Sequence, residues 1–307
     1  MYFGSPVWPF VWNPPYDAAI KRIAGLGCLG VEMIAWRGET LRDYYTPATI
    51  RDLRDLISSE GLTLTNFHHN PEDMSSPDPT ARRKASDNFA RAIEVGAALG
   101  SPFITCVTPY PFSRHVTRLM DRPLMQEWIV PIEGGLDWTG NYNDFVDEVR
   151  EACAIAEKAG LRVAIESHPY RWVNSASSML RLIERTGAAN LGLNVDPSHL
   201  FPSGDIPHYT VYQLGSKAYH THFSDNDGQT NAHWRPGKGK VDWAALLKAL
   251  DDVGYDGVIS LELEDVPGSA MHDRENPPTS EFDREMHKSM DYLRAAGAEV
   301  GVTFKER

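Results

Sequence analysis

Four short apolar runs in this chain each end in a residue able to bind a metal: VAIE closes on Glu166, LNVD on Asp196, YHTH on His222 and ISLE on Glu262. Three carboxylates and an imidazole brought together would hold one divalent cation, because a buried carboxylate without a partner is costly and a cation offsets the repulsion among three of them. Three oxygen ligands and one nitrogen suit Mn²⁺, the expected ion, with Mg²⁺, Co²⁺ and Zn²⁺ as alternatives. The competing reading is a set of strand-end acids bonded to neighbouring backbone.

Other residues of chemical interest lie close to these runs. His199 follows Asp196 in a D-x-x-H pair and is a candidate base, substrate-orienting group or structural histidine. His68 and His69 end the third candidate strand, where His68 is expected to reach substrate. His220 alternates with His222 and so faces the same way, one layer deeper. Trp8, Trp12, Trp36, Trp172 and Trp234 fall near predicted strand ends, and flat indoles such as Trp36 and Trp234 suit the faces of a sugar or an aromatic aglycone. Packing of helices onto the sheet accounts for others among them. The absence of an arginine cluster or a glycine-rich turn argues against a phosphate site.

The elements that must position these groups alternate along the chain. YFGSPVW reads as a strand, AAIKRIAGLG as a helix and GVEMIAW as the next strand. PATIRDLRDLISSEG carries Pro47 at its start and Gly61 past its end, the punctuation of a helix. LTLTNFHHN, a helix over 78–100 and SPFITCV follow, with the fourth strand ending near Thr108. Periodicity then fails over about 108–140, a stretch rich in proline, glycine and tryptophan that is expected to form a lid-like insertion or an interface. Alternation resumes with a helix from Asn143, strand LRVAIES, helix NSASSMLRLIERTG, strand NLGLNVD, a weaker helix around VYQLGSK and strand AYHTHFS. Asp242 caps the helix WAALLKALDDVG, after which come strand DGVISLELE and a final helix from about Ser280 to Ala296. Eight strand–helix units predict a single (β/α)₈ TIM barrel over residues 1–307, whose active site lies at the C-terminal ends of the strands.

Composition narrows the function classes. Hydrophobic residues at 42% and charged residues at 23% suit a globular chain with a large core. Lys+Arg 30 against Asp+Glu 42, a net charge of -12 with no basic stripe, argues against nucleic acid or an anionic membrane as partner. Cys28, Cys106 and Cys153 are dispersed and read as core thiols. Without a signal-like segment or a long apolar run, a cytoplasmic location is expected.

The strings IESHP, NVDPSHL, HTHFSDNDG, HWRPGKGKVDW and YDGVISLELE resemble the second half of the xylose isomerase-like TIM-barrel superfamily, in its sugar isomerase/epimerase branch. The resemblance implies that Glu166, Asp196, His222 and Glu262 end strands five to eight and hold the metal. It also implies that Glu166 and Glu262 move protons on opposite faces of a keto-sugar through an enediolate; their double duty as ligands leaves room for another base, for which His199 is the candidate. The third-metal D-x-H pair of endonuclease IV, in the same superfamily, falls here on Asn231 and His233, so His233 is assigned to the substrate pocket, with Trp234 and Arg235 beside it. The arginine that ketose 3-epimerases carry beyond the metal histidine has no counterpart in SDNDGQTN, which sets this chain apart from enzymes of free ketoses. The implied activity is a metal-dependent isomerase or epimerase of a keto-sugar or sugar derivative. The alternative is a lyase that eliminates the aglycone from a 3-oxo-glycoside, similar to bacterial C-glycoside deglycosidases, or dehydrates a keto-sugar. The deglycosidases work with a small β subunit, so an oligomer, including a hetero-oligomer, is expected. A non-catalytic carbohydrate-binding barrel is the reading from a different class.

Overall fold

Eight parallel strands form a closed barrel in chain order: β1 (Tyr2–Pro6), β2 (Gly30–Ile34), β3 (Thr63–His68), β4 (Phe103–Val107), β5 (Arg162–Glu166), β6 (Leu191–Val195), β7 (Ala218–Phe223) and β8 (Val258–Leu261). The computed structural model describes residues 1–112, 135–271 and 275–306. Parallel strands covered by helices are buried on both faces, which is why a run such as VAI in β5 is apolar without alternation.

The helices are α1 (Asp17–Gly25), α2 (Gly38–Asp43), α3 (Pro47–Ser59), α4 (Pro79–Leu99), α5 (Trp138–Lys158), α6 (Ala176–Thr186), α7 (Pro197–Leu200), α8 (Pro207–Leu214), α9 (Trp243–Asp252) and α10 (Ser280–Glu299). Their ends follow local chemistry. Thr46 and Asp242 accept from backbone N–H groups at the starts of α3 and α9, and Gly100 and Gly187 take the left-handed conformation that closes α4 and α6. Two short helices, α2 and α7, escape sequence reading because neither spans enough turns to set up a periodic apolar face.

The helix expected from Asn143 begins earlier, at Trp138, where the Asp137 carboxylate accepts from Gly140 N at 2.8 Å. Trp138 therefore belongs to a capped helix. Residues 113–134 of the expected insertion lie outside the described residues. All three cysteines are buried and none is in a disulfide, and among the described residues no helix is long and apolar enough to cross a membrane.

Two irregularities in the barrel bear on the site. Against β2, β3 skips Thr65, so that Glu32 stands opposite Asn66; against β6, β7 skips Tyr219, so that Asn194 stands opposite His220. Opposed residues in a parallel sheet point to the same face, and a bulge changes which face the rest of the strand presents. The second bulge requires Gly192, since a Cβ there would meet the Tyr219 ring and Lys217 O at 2.5 Å. Below them Phe103, Ala164 and Tyr219 form a small apolar cluster, with the Arg162 guanidinium over both rings at 4.3 and 4.7 Å.

Candidate metal centre

The four expected ligands converge. Glu166 ends β5, Asp196 follows β6, His222 lies within β7 and Glu262 follows β8, and one ligand atom from each lies within 4.8 Å of the others. His222 Nδ1 is 3.3 Å from Glu166 Oε1 and 3.3 Å from Glu262 Oε2. All four side chains are buried.

In two of the carboxylates one oxygen is tethered and the other left over. Asp196 caps α7, its Oδ1 accepting from Ser198 N at 2.7 Å, while Oδ2 has no partner. Glu262 Oε1 accepts from the indole N–H of Trp8 at 2.7 Å, while Oε2 has no partner. His222 Nδ1 is likewise unpartnered. Three buried polar atoms without hydrogen bonds, all at one point, would each cost about 1–3 kcal/mol if nothing bound them. A divalent cation among them satisfies all three, so the donor set fits the group that its residue types suggest.

Charge at the centre is finely divided. Burial opposes ionisation of Glu166, but His222 and His199 beside it hold its carboxyl well below the usual range. Asp196 is pushed well above that range by burial, with the charges of Glu166 and Glu262 adding to the effect. Acids driven in opposite directions share a space that cannot hold all of them ionised without a cation.

Around this centre stands a wall of imidazoles. His199 Nε2 lies 3.5 Å from both Glu166 Oε1 and Asp196 Oδ2, and its Nδ1 is 2.7 Å from Asn231 Oδ1, an acceptor that places the proton on Nδ1. His168 lies tilted against His199 with ring centroids 4.0 Å apart, and His233 meets it edge-on at 4.7 Å. His233 Nε2 is 3.8 Å from Asp196 Oδ2 and its backbone N–H donates to Asp265 Oδ2 at 2.8 Å. Burial lowers the His168 pKa strongly; at His233 burial is opposed by Glu264, Glu262 and Asp265, and the net direction is upward.

On the opposite side Trp8 packs against His222 and His68, and Trp36 stacks on Trp12 at 4.2 Å, its buried indole N–H without a partner. His68 stands in this wall with both nitrogens taken, Nδ1 by Thr105 Oγ1 at 2.9 Å and Nε2 by Asn70 Oδ1 at 2.8 Å. Trp234 is fixed by paired backbone hydrogen bonds with Asp225, under the Lys238 ammonium at 5.0 Å. Arg235 binds Glu285 of α10 at 3.1 Å rather than any of the four ligands.

Several residues that complete the site carry no motif. Glu32 of β2 accepts from Asn66 Nδ2 at 2.7 Å and lies 3.0 Å from His222 Nε2; its one signal in the sequence is an acid inside an apolar strand, GVEMI. Asp225 accepts from Gly237 N, Gly239 N, Val241 N and Trp243 Nε1 at 2.8–3.1 Å. That single carboxylate explains the PG-x-G-x-x-x-W segment: a Cβ at Gly239 would collide with Asp225 Oδ1, and the loop folded about it carries His233 to the site. His168 lies in the IESHP string without a periodic or spacing signal of its own.

Comparison with known proteins agrees with this architecture. The family described as xylose isomerase-like TIM barrel matches residues 20–296. D-psicose 3-epimerase of Ruminiclostridium cellulolyticum is 23% identical over 261 residues, covering 83% of this chain and 80% of that protein. Fructoselysine 3-epimerase of Shigella flexneri is 28% identical over 256 residues, covering 81% and 85%. The apo crystal structure of the 3-keto-D-glucoside 4-epimerase of E. coli superposes with a TM-score of 0.71 at 18% identity, covering 96% of this chain and 99% of that one.

Proposed function

This chain belongs to the xylose isomerase-like TIM-barrel family, and from that premise we propose that it is a divalent-metal-dependent isomerase or epimerase of a keto-sugar or sugar derivative. The observation that carries the reading is the convergence of three unpartnered buried atoms, Asp196 Oδ2, His222 Nδ1 and Glu262 Oε2, beside Glu166. Relatives named as epimerases of psicose and fructoselysine support the sugar class, and the bare SDNDGQTN stretch favours a derivatised sugar over a free ketose.

Glu166, Asp196, His222 and Glu262 would hold the cation, for which Mn²⁺ is the expected identity. When bound, it supplies Lewis acidity that makes the C–H beside a ketone acidic and stabilises the negative charge of the resulting enediolate. The protein then has to move a proton. We assign this to His199, a reading supported by its Nδ1 proton held by Asn231 and its Nε2 facing the centre. Of the two glutamates, Glu166 is held low by neighbouring imidazoles, and Glu262 has Oε1 engaged by the Trp8 indole N–H. Trp8 and Trp36 meet edge-on and wall one side of the centre with aromatic bulk, which keeps water from that side.

A second reading, elimination of the aglycone from a 3-oxo-glycoside, draws on the pairing of His199 with His233. Elimination needs a base for the C–H and an acid for the leaving group, and the carboxylates around His233 favour its protonated form. Incubating the Mn²⁺-loaded protein in D₂O with a free ketose and with a 3-oxo-glucoside separates the readings. Deuterium entering the sugar with the aglycone retained supports the epimerase; release of the aglycone supports the lyase; neither, with metal bound, counts against both.

A further inference from the structure

Beneath the metal centre runs a line of buried polar contacts whose proton directions follow from one end. Asn70 Oδ1 accepts from Val107 N at 2.8 Å and is itself only an acceptor, so His68 Nε2 must donate to it. His68 Nδ1 then accepts from Thr105 Oγ1, and Thr105 Oγ1 in turn accepts from Asn66 Nδ2 at 2.6 Å. Asn66 Nδ2 also donates to Glu32 Oε2. Ser260 Oγ sits on the other oxygen, Glu32 Oε1. Glu32 is thus surrounded by donors and stands as a carboxylate, although it is wholly buried. The remaining partner on Oε2 is His222 Nε2 at 3.0 Å, which against a carboxylate must carry a proton.

We propose that Glu32 is the positioning residue of the metal centre: it holds the proton on His222 Nε2 and so leaves the lone pair of Nδ1 aimed where Glu166, Asp196 and Glu262 meet. The inference rests on the metal reading above and adds a residue that no sequence motif marks. Glu32 is unsuited to being a ligand itself, since both its oxygens already accept from protein donors and Asn66 N–H would face any cation placed there. The β3 bulge at Thr65 makes the arrangement possible, because it brings Asn66 opposite Glu32. A carboxylate behind a ligating imidazole orients the ring and raises its basicity.

The test is Mn²⁺ titration of metal-free protein by calorimetry, comparing wild type with Glu32→Gln and Asp196→Asn. The proposal expects Glu32→Gln to weaken binding about 10–100-fold, as loss of such a partner usually does. An unchanged Kd with a lower melting temperature would mean that Glu32 is merely structural and overturns the proposal while leaving the metal reading intact. Wild type that binds no Mn²⁺, or binds it as well after Asp196→Asn, overturns both. Should Glu32→Gln fail to fold, ¹⁵N spectra of wild-type histidines with Zn²⁺ bound decide the matter: His222 protonated on Nε2 supports the proposal, and protonation on Nδ1 overturns it.

Discussion

The indole N–H of Trp8, just past β1, donates at 2.7 Å to Oε1 of Glu262, just past β8, joining residues 254 positions apart in the chain. The bond leaves Glu262 with one oxygen for the protein and one for the centre. Trp8→Phe keeps the aromatic packing and removes the donor, so Glu262 is free to rotate. The expected outcome is a roughly 10–100-fold loss in metal affinity or kcat, with little change in fold. Calorimetric Mn²⁺ titration and steady-state kinetics check it; wild-type values for both would remove Trp8 from the site.

Removal of the metal is expected to destabilise the protein. A ligand that binds only the native state adds about 2.7 kcal/mol at a free concentration of 100 Kd. For a chain of this size, that corresponds to a rise in Tm of roughly 4 °C. Asp196→Asn should abolish the rise while stabilising the metal-free form at neutral pH, because Asp196 is pushed above the usual range by burial and by Glu166 and Glu262. The sign follows from proton binding: an acid with a raised folded-state pKa binds more protons folded than unfolded, so stability falls as pH rises past its ordinary 3.8. Thermal melts with and without EDTA, for both proteins, test this.

His199 is expected to act on the substrate rather than on the metal. His199→Ala should lower kcat by about 10²–10⁴ while leaving the Mn²⁺ Kd within a few-fold. Asn231→Ala, which frees His199 Nδ1, should lower kcat less and also spare binding. A His199→Ala protein that still exchanges the substrate C–H with D₂O at the wild-type rate would move the base to Glu166 or Glu262.

Acid should weaken the metal-free protein partly through Glu32. Burial opposes its ionisation, yet His222 and His220 hold its pKa at about 2 against an ordinary 4.5. Its contribution is therefore complete above pH 4.5 and lost as pH falls toward 2. A shift of this size corresponds to an effect on the order of 3 kcal/mol. Urea unfolding at pH 5 and pH 3 should show a larger drop for wild type than for Glu32→Gln, and parallel drops would contradict the assignment.

Asp225 gathers four donors, three of them backbone, in a fully buried position. Asp225→Ala leaves them unpaired and should cost about 3–5 kcal/mol. Because the same loop carries His233, activity should fall further than stability alone explains. Urea titration paired with kinetics in the folded baseline separates the two effects.

The sequence by itself determined the architecture and which four strand-end residues come together. Apolar runs of strand length separated by capped, periodic helices admit little but an alternating barrel, and in such a barrel the residue closing each strand must stand at the mouth, as Glu166, Asp196, His222 and Glu262 do. His199 and His233 were legible for the same reason of nearness, His199 in the short helix α7 that Asp196 caps and His233 in the loop after β7. Only the tertiary structure decided who holds these groups in place. Glu32 reaches His222 across 190 positions, and Arg235 turns to Glu285 of α10 instead of the ligands. The nitrogens of His68 are spent on Thr105 and Asn70. The contacts of Glu32 and His68 depend on strand register, and register here turns on two skipped residues, Thr65 and Tyr219, that interrupt the two-residue period by which a strand's faces are read. A periodic pattern reports which face a residue is on only while the period holds. At the bulges it breaks, and from there the closed barrel determines which side chains meet.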